Sequence, residues 1–201
     1  MKQSFLFPFA MCALLVWSAC GGSVDYIPKP RTYPRVDYPE RAYKAFDQTY
    51  CNFTFQQPAY SKIVKEDNFF GKKITNGCWF DISLPAFNGT IHCSYVPIDK
   101  KENTLTRLVD DSYKLAFKHT SKASSIGEEA IAMPDKNVYG ILFPLEGSVA
   151  TPYQFFLTDS TNHYFRGSLY FNSAPDPDSM RPVIEYVKQD LDKMLETFEF
   201  N

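Results

Sequence analysis

Residues 153–172 read YQFFLTDSTNHYFRGSLYFN, and no other stretch constrains the fold as tightly. Tyr153, Phe155 and Leu157 alternate with Gln154 and Thr158. Further on, Phe165, Leu169 and Phe171 alternate with Tyr164, Arg166, Ser168 and Tyr170. A period of two in aromatic and branched residues marks half-buried strands. The turn formers Asp159, Ser160, Thr161, Asn162 and His163 lie between them, which gives a hairpin with a polar tip. Two strands are marginal in water, so the rest of the chain has to supply partners.

Several segments qualify. Residues 51–56 and 60–65 read as strands on either side of Pro58, after a possible helical turn at 41–47. Residues 67–77 are polar with two glycines and read as a loop. Residues 78–84 and 89–96 form a hairpin across 85–88, with Cys78, Phe80, Ile82 and Leu84 on one face of the first strand and Ile91, Cys93 and Tyr95 on one face of the second. The period then changes. Leu105, Leu108, Val109, Leu115 and Ala116 fall at helical spacing, with Asn103 or Thr104 as N-cap and an end near His119. Residues 124–133 are ambiguous, and alternation favours a strand. A turn at 134–137 leads to a strand at 138–143. The last segment is a helix, with Ser179 expected as N-cap and a stripe of Ile184, Val187, Leu191, Met194, Leu195 and Phe198. This order predicts an α+β fold: an antiparallel sheet with a central helix and a C-terminal helix packed on it. Phe198-Glu199-Phe200 after the last helix makes the pattern look like the Mog1/PsbP-type sandwich.

Aromatic residues at 16% favour such a sheet over a helical bundle. A formal charge of −2 argues against a nucleic-acid partner. The first residues read as an address. Lys2 precedes an apolar run at 5–16 that is too short to span a bilayer, and Trp17-Ser18-Ala19-Cys20 follows. Small residues before a cysteine resemble the bacterial lipobox, although the usual branched residue is here Trp17. We therefore expect a signal peptide at 1–19, with acyl chains such as palmitate on Cys20. Each buried CH₂ of an acyl chain is worth about 0.8 kcal/mol, so such chains hold a protein on a membrane. An ordinary secretory cleavage, with Cys20 incidental, is the alternative. Residues 20–39 are dense in proline and read as an extended tether, followed by one domain at 40–201.

Three cysteines remain in the domain: Cys51, Cys78 and Cys93. An odd count leaves a free thiol. Cys51 and Cys78 both sit at strand starts, so we expect these two to pair and Cys93 to stay reduced. No zinc spacing, nucleophile elbow, P-loop or dinucleotide fingerprint occurs. His92 and Cys93 are adjacent in a strand and point to opposite faces, so they cannot act together. His119 sits at the edge of a helical stripe. Asp159, Ser160 and His163 resemble a triad in composition, but they lie at a solvated tip with nothing to form an oxyanion hole. Gln154, Phe156, Arg166, Ser168 and Tyr170 share one strand face. They make either a docking patch or the solvent side of a sheet.

Five stretches in combination resemble the gliding-motility lipoprotein family GldD of the Bacteroidetes. They are PKPRTYPRVDYPE, CWFDISLPAFNGTIHCSY, LAFKHTSKASSI, QFFLTDSTNHYFRGSLYFN and PDPDSMRPVIEYV. The resemblance implies a lipid-anchored envelope protein that is required for gliding and associated with type IX secretion. It implies action beside an integral membrane protein, GldE, of CorC-like type, and it brings neither catalytic residues nor a cofactor or metal. Surface-exported lipoproteins of this group tend to carry acidic residues after the cysteine. Gly21-Gly22-Ser23-Val24 has none, so the domain is expected to face the periplasm. Exported proteins of the group are also O-glycosylated at a short Asp-Ser/Thr pattern, which Ser160 and Ser179 fit. The alternative function is a periplasmic domain that binds or hydrolyses a small ligand or a cell-wall fragment.

Overall fold

Two hairpins are closed by the same four-residue turn. Pro85-Ala86-Phe87-Asn88 and Pro134-Asp135-Lys136-Asn137 each make one turn of 3-10 helix. Each ends in an asparagine at positive φ, 48° and 52°, whose N–H bonds back to the proline carbonyl. Asparagine tolerates this left-handed conformation better than most residues, and proline fixes the φ that starts the turn.

The computed structural model describes residues 35–66, 68–69, 72–73 and 78–201. The expected leader, Cys20 and the tether as far as Pro34 lie outside the described residues, as does most of the loop at 67–77. The chain opens with β1 (Tyr43–Ala45), β2 (Phe53–Thr54), β3 (Gln56–Pro58), β4 (Lys62–Lys65), β5 (Asn68–Phe69) and β6 (Lys72–Lys73). The first of the two hairpins is β7 (Trp79–Leu84) and β8 (Gly89–Pro97). Helix α1 (Leu105–Phe117) follows, then β9 (Ala123–Ile126), β10 (Glu129–Met133) and β11 (Val138–Gly147). The central hairpin is β12 (Tyr153–Thr158) and β13 (His163–Phe171). Helix α2 (Pro177–Glu196) and β14 (Glu199–Phe200) end the chain.

The main sheet runs β10-β11-β12-β13-β8-β7-β4, with β9 paired to the far end of β11. Its pairings are antiparallel. The central hairpin sits in the middle, so both its strands are flanked on either side. Gly140 and Gly167 allow close approach here: a Cβ on Gly140 would stand 2.0 Å from the Phe156 carbonyl oxygen, and one on Gly167 2.1 Å from the Phe155 ring.

Alternation sends side chains to two faces. On the first lie Phe80, Ile82, Leu84, Ile91, Phe155, Leu157, Phe165 and Leu169, all buried. Helix α2 covers them with Val183, Val187, Leu191, Met194 and Leu195. Beside the helix, Phe46, Phe53, Phe55 and Phe198 stack into the same core. Phe165 meets Phe53 at 4.8 Å and Phe198 at 5.0 Å between ring centroids. Such offset and tilted contacts add to the roughly 1.5–3 kcal/mol that burial of one large apolar side chain contributes. On the second face Phe143, Leu145, Phe156 and Tyr164 are buried with Ala116 of α1.

Some elements differ from the sequence expectation. Residues 41–47 hold β1 rather than a helical turn, because Tyr43–Ala45 finds a partner in β3 and Phe46 enters the core. The ambiguous segment at 124–133 splits into two strands at Gly127, both paired to β11. Helix α1 is capped by Thr104, whose side chain accepts the Arg107 N–H. Helix α2 starts before Ser179. Its N-cap is Asp176, whose carboxylate accepts the Asp178 N–H, and Pro177 takes the first helical position. Ser179 lies in the first turn, with its hydroxyl on the Asp176 carbonyl oxygen.

Candidate functional site

Helix α1 packs on β12 and β13 and so covers only part of the second face. Between the helix and the edge formed by β7 and β4 the sheet is left open. Strand register sets what lines the opening. Arg166 of β13 stands opposite Ser94 of β8, which stands opposite Trp79 of β7. In the next row Ser168 faces His92, which faces Asp81. From the other side α1 contributes Leu108, Asp111, Ser112 and Leu115. The result is an open groove of about 630 Å³.

Its polar groups are held in place. His92 Nδ1 and the Asp81 carboxylate lie 2.7 Å apart. The hydrogen bond to Asp81, with the charges of Asp81 and Glu66, holds the imidazole above its ordinary pKa. The Trp79 indole N–H donates to the Tyr95 carbonyl at 3.2 Å, which fixes the ring in the wall. The Tyr164 hydroxyl donates to the Leu108 carbonyl at 3.0 Å and lies 2.7 Å from Ser112 Oγ, so strand and helix are tied together at the base of the groove. Burial pushes that phenol well above its usual range.

Arg166 is the floor of the groove. Its guanidinium donates to Gln154 Oε1 at 2.9 Å. Burial pulls its pKa down, and among the described residues no carboxylate stands close enough to raise it again. Arginine stays charged under such conditions. His119, just past α1, is held below its ordinary pKa by burial, then by the nearby charges of Arg166 and Lys118.

The five residues read as either a docking patch or the solvent side of a sheet do share this face, but three of them are covered. Gln154, Phe156 and Ser168 are 2%, 4% and 4% exposed. Phe156 belongs to the core beneath α1, and packing of that helix takes it out of reach of a partner. Arg166 and Tyr170 keep partial exposure. The Tyr170 ring lies 5.5 Å from that of His92.

The remaining candidates are dispersed. Cys51 and Cys78 are joined, with Cα atoms 5.3 Å apart, and Cys93 is a free, buried thiol whose pKa burial pushes up. At the hairpin tip Asp159 accepts the backbone N–H groups of Thr161, Asn162 and His163 at 2.8–3.0 Å, which pulls its pKa down despite partial burial. His163 Nδ1 meets the Tyr95 hydroxyl at 2.6 Å and its ring stacks on Phe200. The two halves of the apparent triad are therefore engaged elsewhere. Ser160 is exposed at positive φ, 66°. No group of three or more metal-ligating side chains occurs among the described residues.

Trp79, Asp81 and His92 were not singled out from the sequence as a unit. The signal was present: if 84 pairs with 89 across the Pro85 turn, then 81 pairs with 92 and 79 with 94.

A profile of the gliding motility lipoprotein GldD family matches residues 23–200. The chain belongs to the gliding motility lipoprotein GldD family. No curated protein matches it. Among solved structures, it is similar to the solution structure of cyanobacterial PsbP (CyanoP) from Synechocystis sp. PCC 6803. The TM-score is 0.51 at 12% identity, over 80% of this chain and 94% of that one. At that identity the likeness concerns the fold alone, which is of the PsbP/Mog1-like type expected. Among the described residues of this GldD-family chain no helix is long and apolar enough to cross a membrane.

Proposed function

We propose that this GldD-family protein is a lipid-anchored, non-catalytic component of the cell envelope that assists assembly or stability of the gliding motility and type IX secretion machinery. The observation that carries this reading is the family match, which spans nearly the whole chain beyond the expected leader. In this reading the acyl chains on Cys20 hold the protein to a membrane, residues 20–39 act as a tether, and the domain faces the periplasm. Its partner is an integral membrane protein of the GldE, CorC-like type.

Two catalytic combinations that the residue types allow are not brought together. His92 and Cys93 lie on opposite faces of β8, and Asp159 and His163 are bonded to backbone and to Tyr95. The groove on the second face favours the binding half of the alternative, a domain that takes a small ligand, over its hydrolytic half.

The test uses a tagged full chain expressed in its own cells. Cys20→Ala is expected to move the protein from the membrane to the soluble fraction. Affinity purification of the unaltered chain is expected to retain a CorC-like membrane protein. Retention of the Cys20→Ala chain in membranes would refute the anchor. Loss of no envelope component from cells deleted for the gene would refute the assembly role.

A further inference from the structure

The groove beside α1 combines two features that the assembly role does not use. Its walls are mainly apolar, made by Trp79, Val96, Leu108 and Leu115. Its floor carries the charge of Arg166. A guanidinium partly withdrawn from water costs free energy unless a counter-charge and hydrogen bonds replace the lost solvent. Arg166 has a neutral amide, Gln154, in that place. The carboxylates of the groove are committed elsewhere. Asp81 is bonded to His92 at 2.7 Å, and Asp111 lies 3.4 Å from Lys114. Glu66 belongs to the β4 side, where its charge acts on His92. Among the described residues the positive charge at the α1 side thus has no carboxylate of its own.

We propose that this groove binds a small amphiphilic anion, with its carboxylate or phosphate on the Arg166 guanidinium and its apolar body between Trp79 and α1. A guanidinium presents parallel N–H donors that match both head groups. The volume of about 630 Å³ suits a small organic molecule and lies within the range of roughly 300–1,000 Å³ typical of such sites. An apolar lining with one placed charge selects for an amphiphile over a fully hydrated ion. The proposal does not depend on the assembly role.

The chain has two tryptophans, Trp17 in the expected leader and Trp79 in the groove wall. In the chain from Gly21 onward, Trp79 is therefore the sole indole reporter. Titration of this chain with dodecanoate, below its micellar concentration, is expected to change Trp79 fluorescence saturably. Arg166→Gln should weaken binding at least about tenfold, the scale set by loss of a charge-assisted hydrogen-bonded pair. Dodecanol, with the same chain and no charge, should bind weaker by a similar factor. Ser94→Phe, which fills the floor without changing charge, should abolish the response. A parallel titration with dodecyl phosphate tells a phosphate-headed ligand from a carboxylate. Equal affinity for dodecanoate and dodecanol, or no saturable response to either anion, overturns the proposal. So does unchanged affinity in a folded Arg166→Gln chain. If that variant loses its circular dichroism spectrum, Ser94→Phe decides: undiminished binding refutes the site.

Discussion

The Asp190 carboxylate, buried on α2, lies 3.1 Å from the guanidinium of Arg41, 149 residues away in sequence. The Tyr43 and Tyr60 hydroxyls donate to the same carboxylate at 3.0 and 2.5 Å. Arg41 also lies over the Tyr186 ring, 4.2 Å from its centroid. These contacts clasp the first strands of the domain to the last helix. Asp190 is 3% exposed, so removing the carboxylate leaves the Arg41, Tyr43 and Tyr60 donors without the acceptor they share. Breaking a buried ion pair from one side costs about 3–5 kcal/mol, and Asp190→Ala is expected near the lower figure because Arg41 keeps some contact with solvent. Asp190→Asn should cost less, since an amide oxygen still accepts. Urea unfolding of both variants checks the order.

The bond between Cys51 and Cys78 closes a sequence separation of 27 residues. In the chain-entropy account, a loop of that length stabilises by about 3.5 kcal/mol. Cys51→Ser with Cys78→Ser is expected to lower the unfolding free energy by roughly that amount, less whatever structure the unfolded chain keeps. Thiol labelling supplies a second check. The chain from Gly21 should show no reactive thiol when native, because Cys93 is buried. It should show one when unfolded without reductant, and three with it.

Long periodic stretches made most of the sheet legible in the sequence. The central hairpin, the Cys78 hairpin and both helices follow from alternation, helical spacing and turn residues, all of which are local. What local signals do not carry is pairing between distant segments. Tyr43–Ala45 is too short to show an alternation and becomes a strand because β3 lies beside it. Ser179 looks like an N-cap, yet Asp176 with Pro177 behind it is the better one: a carboxylate binds the helix N-terminus and proline has no N–H to lose. The groove was half legible. Arg166 was placed on the correct face from alternation alone. The burial of Gln154, Phe156 and Ser168 depends on where α1 comes to rest, and nothing in the strands themselves encodes that.

Gly140 is expected to be the least tolerant glycine of the sheet. A methyl group there meets the Phe156 carbonyl oxygen at 2.0 Å, and that oxygen belongs to a paired strand that cannot shift alone. At Gly167 the obstacle is the Phe155 side chain at 2.1 Å, a ring that can rotate at the expense of its packing on Phe165. Overpacking a well-filled site costs about 1–3 kcal/mol, and more when backbone has to move. Gly140→Ala is therefore expected to exceed Gly167→Ala, with a loss of about 3 kcal/mol or more at Gly140. Thermal unfolding of the two single variants tests the ranking. Equal losses would mean that β11 and β12 separate more easily than their register implies.

His92 and His119 should give stability opposite dependences on pH. His92 is held above its ordinary pKa by Asp81. Its contribution is fully present below the unfolded value, about 6.5, and is lost as pH rises through the higher folded value. His119 is held below its ordinary pKa by burial, then by Arg166 and Lys118. Its contribution is present above about 6.5 and lost as pH falls through the lower folded value. The His92 side chain is 53% exposed, so solvent screening keeps its share small. Nuclear magnetic resonance titration of the imidazole protons separates the two. Asp81→Asn should return His92 toward an ordinary pKa and leave His119 unmoved. Arg166→Gln should raise His119, by removing a neighbouring positive charge, and leave the His92 midpoint largely in place. A His119 midpoint that does not respond to Arg166→Gln would show that burial and Lys118 set it without Arg166.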